Sequence, residues 1–240
     1  KSAAWGQGRW VAVGNAGSIV TSTNGTDWIA AVLDAYADFN TVAFGNGVFV
    51  LAGQTRVSTT TQIFTPDAPD VAGVVFVSTD GLTWSPGRCP DFDLLQDIAF
   101  GDGVFAAGSG AWGNRAFAST SLDGTHWTPQ LGAANPKAWR VAWGNGLFLA
   151  AGSGTLCHSP DAVHWTRTTN GPSFIGISGL AYGSGRYVAT CENGTVLVST
   201  DGDAWRLATN SSRSLRDVAA GPGGFVATTS TNGRLLTSPD

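Results

Sequence analysis

Five short stretches share a polar corner followed by a tryptophan: TSTNGTDW at 21–28, VSTDGLTW at 77–84, TSLDGTHW at 120–127, HSPDAVHW at 158–165 and VSTDGDAW at 198–205. The side chains at their centres are Asn24, Asp80, Asp123, Asp161 and Asp201. Carboxylates of this kind serve as general acids or as oxygen ligands for calcium. They also accept hydrogen bonds from backbone N–H groups a few residues on, and so fix a turn. Recurrence decides between the two, because a catalytic group is not needed once per repeat. The corners are read as scaffold. Trp28, Trp84, Trp127, Trp165 and Trp205 then supply apolar faces, each worth about 2–3 kcal/mol if buried, and indole N–H groups that need acceptors.

The other tryptophans divide differently. Trp5, Trp10 and Trp143 stand where other copies of the repeat carry Phe, Tyr or aliphatic residues, whereas Trp112 and Trp139 do not. Trp112 lies in an inserted loop with Asn114 and Arg115, and Trp139 lies between Lys137 and Arg140 in the connection entering the fourth repeat. Tyr36 occupies a corresponding connection. Aromatic rings bordered by amides and guanidinium groups suit a sugar, whose C–H face stacks while its hydroxyls hydrogen-bond. These seven residues form the candidate ligand-binding set. The competing reading is that the rings anchor loops against the scaffold.

Catalytic chemistry finds little support. A glycosidase needs two carboxylates facing each other across the substrate. Glu192 is the single Glu, and the best aspartate pair, Asp97 with Asp217, comes from repeats expected to lie too far apart. His126, His158 and His164 all sit beside the scaffold corners. Cys89, Cys157 and Cys191 allow at most one disulfide and lack paired zinc-site spacing, so no metal or cofactor is expected. Whether Cys157 and Cys191 are bonded stays open.

These residues must be positioned by a repeated element. A second phrase precedes each corner: AWGQGRWVAVG, AFGNGVFVLAG, AFGDGVFAAGS, AWGNGLFLAAG, AYGSGRYVATC and AAGPGGFVATT. They start at Ala4, Ala43, Ala99, Ala142, Ala181 and Ala219, spaced by 39, 56, 43, 39 and 38 residues. Each unit reads as four strands. The first ends before Gly-x-Gly, a tight turn in which two positions need φ > 0, which the glycines supply. The second follows that turn, the third runs into the corner, and the Trp opens the fourth. Six such units near 40 residues predict an all-β chain, a six-bladed β-propeller of four-stranded antiparallel blades. The blades fall at about 1–37, 38–93, 94–136, 137–175, 176–213 and 214–240 of a single domain, the last lacking its outer strand because the sixth copy reads Ser238-Pro239-Asp240 without a Trp.

The corner Ser-x-Asp-Gly-x-x-Trp resembles a compact Asp-box (BNR repeat) of sialidase-like and photosystem-assembly-factor propellers. The usual spacing has one more position between Asp and Trp, and the fourth copy replaces Gly by Ala162. The resemblance implies the propeller fold. It carries over none of the sialidase catalytic motifs, since no Arg-Ile-Pro occurs.

The function classes narrow accordingly. A net charge of −4 argues against nucleic acid, and no apolar run is long enough to insert in a membrane. Charged residues make up 12%, Lys and Glu are scarce, and the chain contains no Met. That composition leads us to expect an exported, processed, secreted protein. The expected function is non-catalytic binding of a glycan, with an extracellular protein as alternative partner and a polysaccharide hydrolase or lyase, using Tyr36 or Arg140, behind it. The binding residues are expected on the rim opposite the corners, where the insertions at 54–73 and 109–115 fall.

Overall fold

In the computed structural model the described residues are all except 32, 34–36, 56–72, 89–93, 110–117, 131–137, 153, 173–175, 231–232 and 239–240. They contain strands and turns and no helix. The strands form six antiparallel sheets in chain order, five of four strands and a last one of three, the six blades of a β-propeller. The chain divides into two compact units, Lys1–Pro129 and Gln130–Asp240, with three blades each.

In the first unit, blade 1 comprises β1 (Ser2–Gly6), β2 (Arg9–Val13), β3 (Ile19–Ser22) and β4 (Ile29–Ala30). Blade 2 comprises β5 (Ala37–Gly45), β6 (Val48–Thr55), β7 (Gly73–Ser78) and β8 (Ser85–Pro86). Blade 3 comprises β9 (Leu95–Gly101), β10 (Val104–Ser109), β11 (Ala118–Ser121) and β12 (Thr128–Gln130). In the second unit, blade 4 comprises β13 (Ala138–Gly144), β14 (Leu147–Gly152), β15 (Thr155–Ser159) and β16 (Thr166–Arg167). Blade 5 comprises β17 (Ile177–Gly183), β18 (Arg186–Cys191), β19 (Thr195–Ser199) and β20 (Arg206–Asn210). Blade 6 comprises β21 (Leu215–Gly221), β22 (Gly224–Thr229) and β23 (Leu235–Ser238).

The second strands show why the sequence reads as continuous apolar runs rather than alternation. In β6 the run Phe49–Gly53 and in β18 the run Tyr187–Cys191 are buried without a break, because each of these sheets lies between two neighbouring blades of its own unit. Three blade-to-blade cores are built the same way, each around a corner tryptophan. Val11, Val13 and Ile19 of blade 1 pack with Phe39, Phe49, Leu51 and Trp84 of blade 2. Val50 and Val75 of blade 2 pack with Leu95, Phe105 and Trp127 of blade 3. Leu149 and Leu156 of blade 4 pack with Ile177, Tyr187, Leu197 and Trp205 of blade 5.

The Gly-x-Gly turns depart from expectation in one respect. In the first five copies the left-handed positions are x and the second Gly, as in Asn46 and Gly47 (φ 46° and 79°), which is the pattern of a two-residue hairpin turn. The first glycine is there for space. A Cβ on Gly45 would stand 2.1 Å from the Phe100 ring of the next blade, and one on Gly144 would stand 2.0 Å from Tyr182.

Candidate binding site

The corners are fully occupied with holding themselves. In blade 3, Asp123 Oδ1 accepts the backbone N–H of Thr125 (2.7 Å) and His126 (2.8 Å) and the Ser121 hydroxyl (3.1 Å). Ser121 Oγ in turn accepts the N–H of Gly124 at 2.8 Å. Asp80, Asp161 and Asp201 repeat this pattern, and Asn24 does the same with its amide oxygen. The N–H groups of Thr83 and Leu82 hold the Asp80 carboxyl down to about 2. Asp123 is held well below the carboxylate range, first by the His126 N–H. Such carboxylates stay ionised and committed to the turn, unfit as proton donors near neutrality.

The indole N–H of Trp127, Trp165 and Trp205 donates to the carbonyl three residues back, at 2.9, 3.0 and 3.0 Å. These rings and that of Trp84 are buried, whereas Trp28 is 41% exposed. Both turn types share one rim in the first unit. The Asn46 side-chain N–H group of one Gly-x-Gly turn donates to the carbonyls of Gly103 (3.0 Å) and Leu122 (2.9 Å), in the next blade's turn and corner.

At the other end of the innermost strands, consecutive polar residues reach the neighbouring blade together. Regular alternation forbids this, and a repeated β-bulge permits it. Ala138 pairs with Gly152 and Arg140 with Ala151, leaving Trp139 as the extra residue. Asn40, Ser178 and Arg216 are skipped likewise. Trp139 Nε1 donates to the Ile177 carbonyl at 3.1 Å, and Arg140 Nε donates to that of Ser178. In the first unit Lys1 Nζ donates to Asn40 Oδ1 (2.9 Å), and the Thr41 hydroxyl donates to Asp97 (3.3 Å). Gly179 belongs to the same belt: a Cβ there would lie 2.7 Å from the Val218 nitrogen.

Of the seven candidate ligand-binding residues, the structure thus places Trp139 and Arg140 side by side, half-buried, with N–H groups engaged in joining blade 4 to blade 5. Trp112, Asn114, Arg115, Lys137 and Tyr36 lie outside the described residues. So does Cys89, while Cys157 and Cys191 are buried free thiols. Among the described residues no group of His, Cys, Asp and Glu is arranged to hold a metal.

A concave surface the sequence did not flag lies between blades 5 and 6. It is a groove of about 380 Å³ walled by Val188, Val196, Val198, Val218, Phe225 and Leu236, with Arg186 and Arg206 at its margin. Arg186 Nε is buried and finds no hydrogen-bond partner among the described residues. In blade 1 the corresponding Arg9 donates through Nη1 to the Thr21 hydroxyl at 3.1 Å, and blade 5 carries Val198, with no hydroxyl, where blade 1 has Thr21. The available signal was that valine.

Comparison with known proteins supports the fold. No protein-family model matches the chain, and no curated protein matches it in sequence. Among solved structures, YCF48 bound to D1 peptide superposes with a TM-score of 0.70 at 16% identity, covering 100% of this chain and 78% of that one. YCF48 from Cyanidioschyzon merolae gives 0.66 at 14%, covering 98% and 80%. A nidogen/laminin complex gives 0.64 at 10%, covering 92% and 85%. At these identities the likeness is one of fold.

Proposed function

We propose that this chain is a non-catalytic binding propeller whose ligand is an extended polypeptide, held in the groove between blades 5 and 6. The observation that carries the reading is the groove itself, lined by six apolar side chains together with Arg186 and Arg206. Apolar pockets take the side chains of a bound peptide, and guanidinium groups pair with its carbonyls and carboxylates. Two of the similar structures are complexes with a peptide or a protein, which favours a polypeptide ligand over a small metabolite. The corner geometry supports kinship with Asp-box propellers, and the charge-poor composition supports a place outside the cell.

The test is a random-peptide display against the immobilised chain, followed by titration of the selected peptides. Arg206 is exposed, so Arg206→Glu leaves the core intact and is expected to weaken selected peptides at least fivefold. A display that enriches nothing, or peptides indifferent to Arg206, would remove the reading.

A glycan is the second reading, favoured by Trp139, whose ring is half-exposed beside Arg140 while its N–H is anchored. Glycan-array binding that survives Trp139→Phe but is lost in Trp139→Ala would support it, since both variants lose the N–H and only the second loses the ring. An array that stays blank with the unmodified chain would end it.

A further inference from the structure

Six Asn-Gly pairs occur in the chain, at Asn24, Asn46, Asn145, Asn170, Asn193 and Asn232. Asparagine followed by glycine is the pairing most prone to spontaneous deamidation, because no Cβ on the second residue shields its backbone nitrogen from the asparagine carbonyl carbon. Asn232 lies outside the described residues, and the fold leaves the other five with unequal freedom. Asn24 Nδ2 donates to Asp27 Oδ2 at 2.7 Å, and its Oδ1 accepts the N–H groups of Thr26 and Asp27. The nitrogen that would attack it, that of Gly25, donates to Ser22 Oγ at 2.9 Å. Asn46 Nδ2 is held between the carbonyls of Gly103 and Leu122. Asn170 Nδ2 donates to Asp203 Oδ2 at 3.2 Å. Asn193 Oδ1 accepts the Thr195 N–H at 3.0 Å, while the Gly194 N–H donates to the Cys191 carbonyl at 3.0 Å. Turning any of these amides toward the following nitrogen costs hydrogen bonds already made.

Asn145 is under no such restraint. It stands exposed in the turn between β13 and β14, and its side chain makes no hydrogen bond among the described residues. Asn46, at the same place in blade 2, is tied to the next blade. Gly146 is equally open, with nothing within 4 Å of a Cβ placed on it, and its N–H donates to no described group. The two residues hold left-handed backbone at φ 46° and 75°. The turn is fastened on the side before them, where the Tyr187 hydroxyl donates to the Gly144 carbonyl.

From this we infer that Asn145 is a modification site, at which the folded chain deamidates ahead of the other four described pairs. The Gly146 nitrogen attacks Cγ of Asn145, gives up its proton and expels the side-chain nitrogen as ammonia, closing a succinimide ring. Water then adds to one of the two ring carbonyls and opens it, leaving aspartate or isoaspartate at the position. Water is the sole co-reactant, and nothing is oxidised or reduced. In the isoaspartate product the chain runs through the side-chain carbon, which lengthens by one atom a turn built for two residues. That product also presents a free α-carboxylate, the group that protein-isoaspartate methyltransferases take as substrate. The inference is independent of any ligand in the groove.

The test is peptide mapping by mass spectrometry of the intact chain aged at pH 8, once folded and once in urea. In the folded chain, conversion at Asn145 is expected to exceed that at Asn24, Asn46, Asn170 and Asn193 at least tenfold. In urea, where the side-chain bonds are gone, the five are expected to fall within a few-fold of one another. Methylation by a protein-isoaspartate methyltransferase, with S-adenosylmethionine as methyl donor, is expected to label the peptide that carries Asn145 in the aged parent. The same peptide of aged Asn145→Gln, whose longer side chain closes its ring far more slowly, is expected to stay unlabelled. A folded chain in which another of the five leads, in which all convert alike, or in which Asn145 stays intact would overturn the inference. So would absence of label at that peptide in the parent, or the same ranking persisting in urea, since sequence rather than fold would then set it.

Discussion

Gly144 and Gly146 flank one residue of the same turn and are glycine for different reasons. Gly146 adopts φ 75° with open space around it, so Ala there meets only the left-handed backbone penalty of about 1–2 kcal/mol. A methyl on Gly144 would collide with the buried-side ring of Tyr182, an overpacking that costs about 3 kcal/mol or more unless the blade shifts. Urea denaturation of Gly144→Ala and Gly146→Ala is therefore expected to show the first as clearly less stable. The corners offer a second residue-scale test. Blade 1 performs with Asn24 what other blades perform with Asp, so Asp80→Asn is expected to stay within about 1 kcal/mol of the parent at pH 7, whereas Asp80→Ala loses a capping-type acceptor worth about 1–2 kcal/mol. Its acid dependence follows from the sign of the shift. The folded carboxyl titrates near 2 and an unfolded one near 3.9, so its contribution is complete above about pH 4 and is lost as pH falls through 2. Melting temperatures between pH 4 and 2 should fall less steeply in Asp80→Asn than in the parent.

Among the elements, the bulged inner strands are the part that alternation could not reveal. The consecutive polar residues were visible in each repeat, and their role was not, because a strand of regular pleat would send one of each pair to the opposite face. Trp139 illustrates the result: picked out as surplus to the repeat, it turns out to join two blades with its N–H. Trp139→Phe is expected to cost about 1 kcal/mol in urea denaturation, the price of one lost hydrogen bond with its carbonyl left behind. The blade 4–blade 5 core makes another element-scale prediction. Burial pushes the Cys157 and Cys191 thiols up to about 11, and both lie among closely packed side chains. In a Cys89→Ser background, neither should react with a disulfide reagent at pH 8 until the chain is unfolded, when both titrate.

For the molecule as a whole, the period near 39 residues made the fold legible, since six similar sheets can bury their faces only against one another. The groove was not legible in the same way. Neither Val198 nor Phe225, which line it, differs in type from residues that form ordinary core elsewhere. The three-stranded sheet should also be the first to open. Hydrogen exchange of β21–β23 is expected to be faster than that of β17–β19, whose sheet carries a fourth strand and whose second strand is buried on both faces. The fourth blade carries a last lesson in Ala162, which holds φ 61° where its counterparts Gly25, Gly81, Gly124 and Gly202 adopt that conformation without a methyl. Its corner keeps the aspartate and indole bonds of the others all the same. A joint secured by several fastenings tolerates one poor fitting, so a tandem array can accumulate faults copy by copy while its frame stays true.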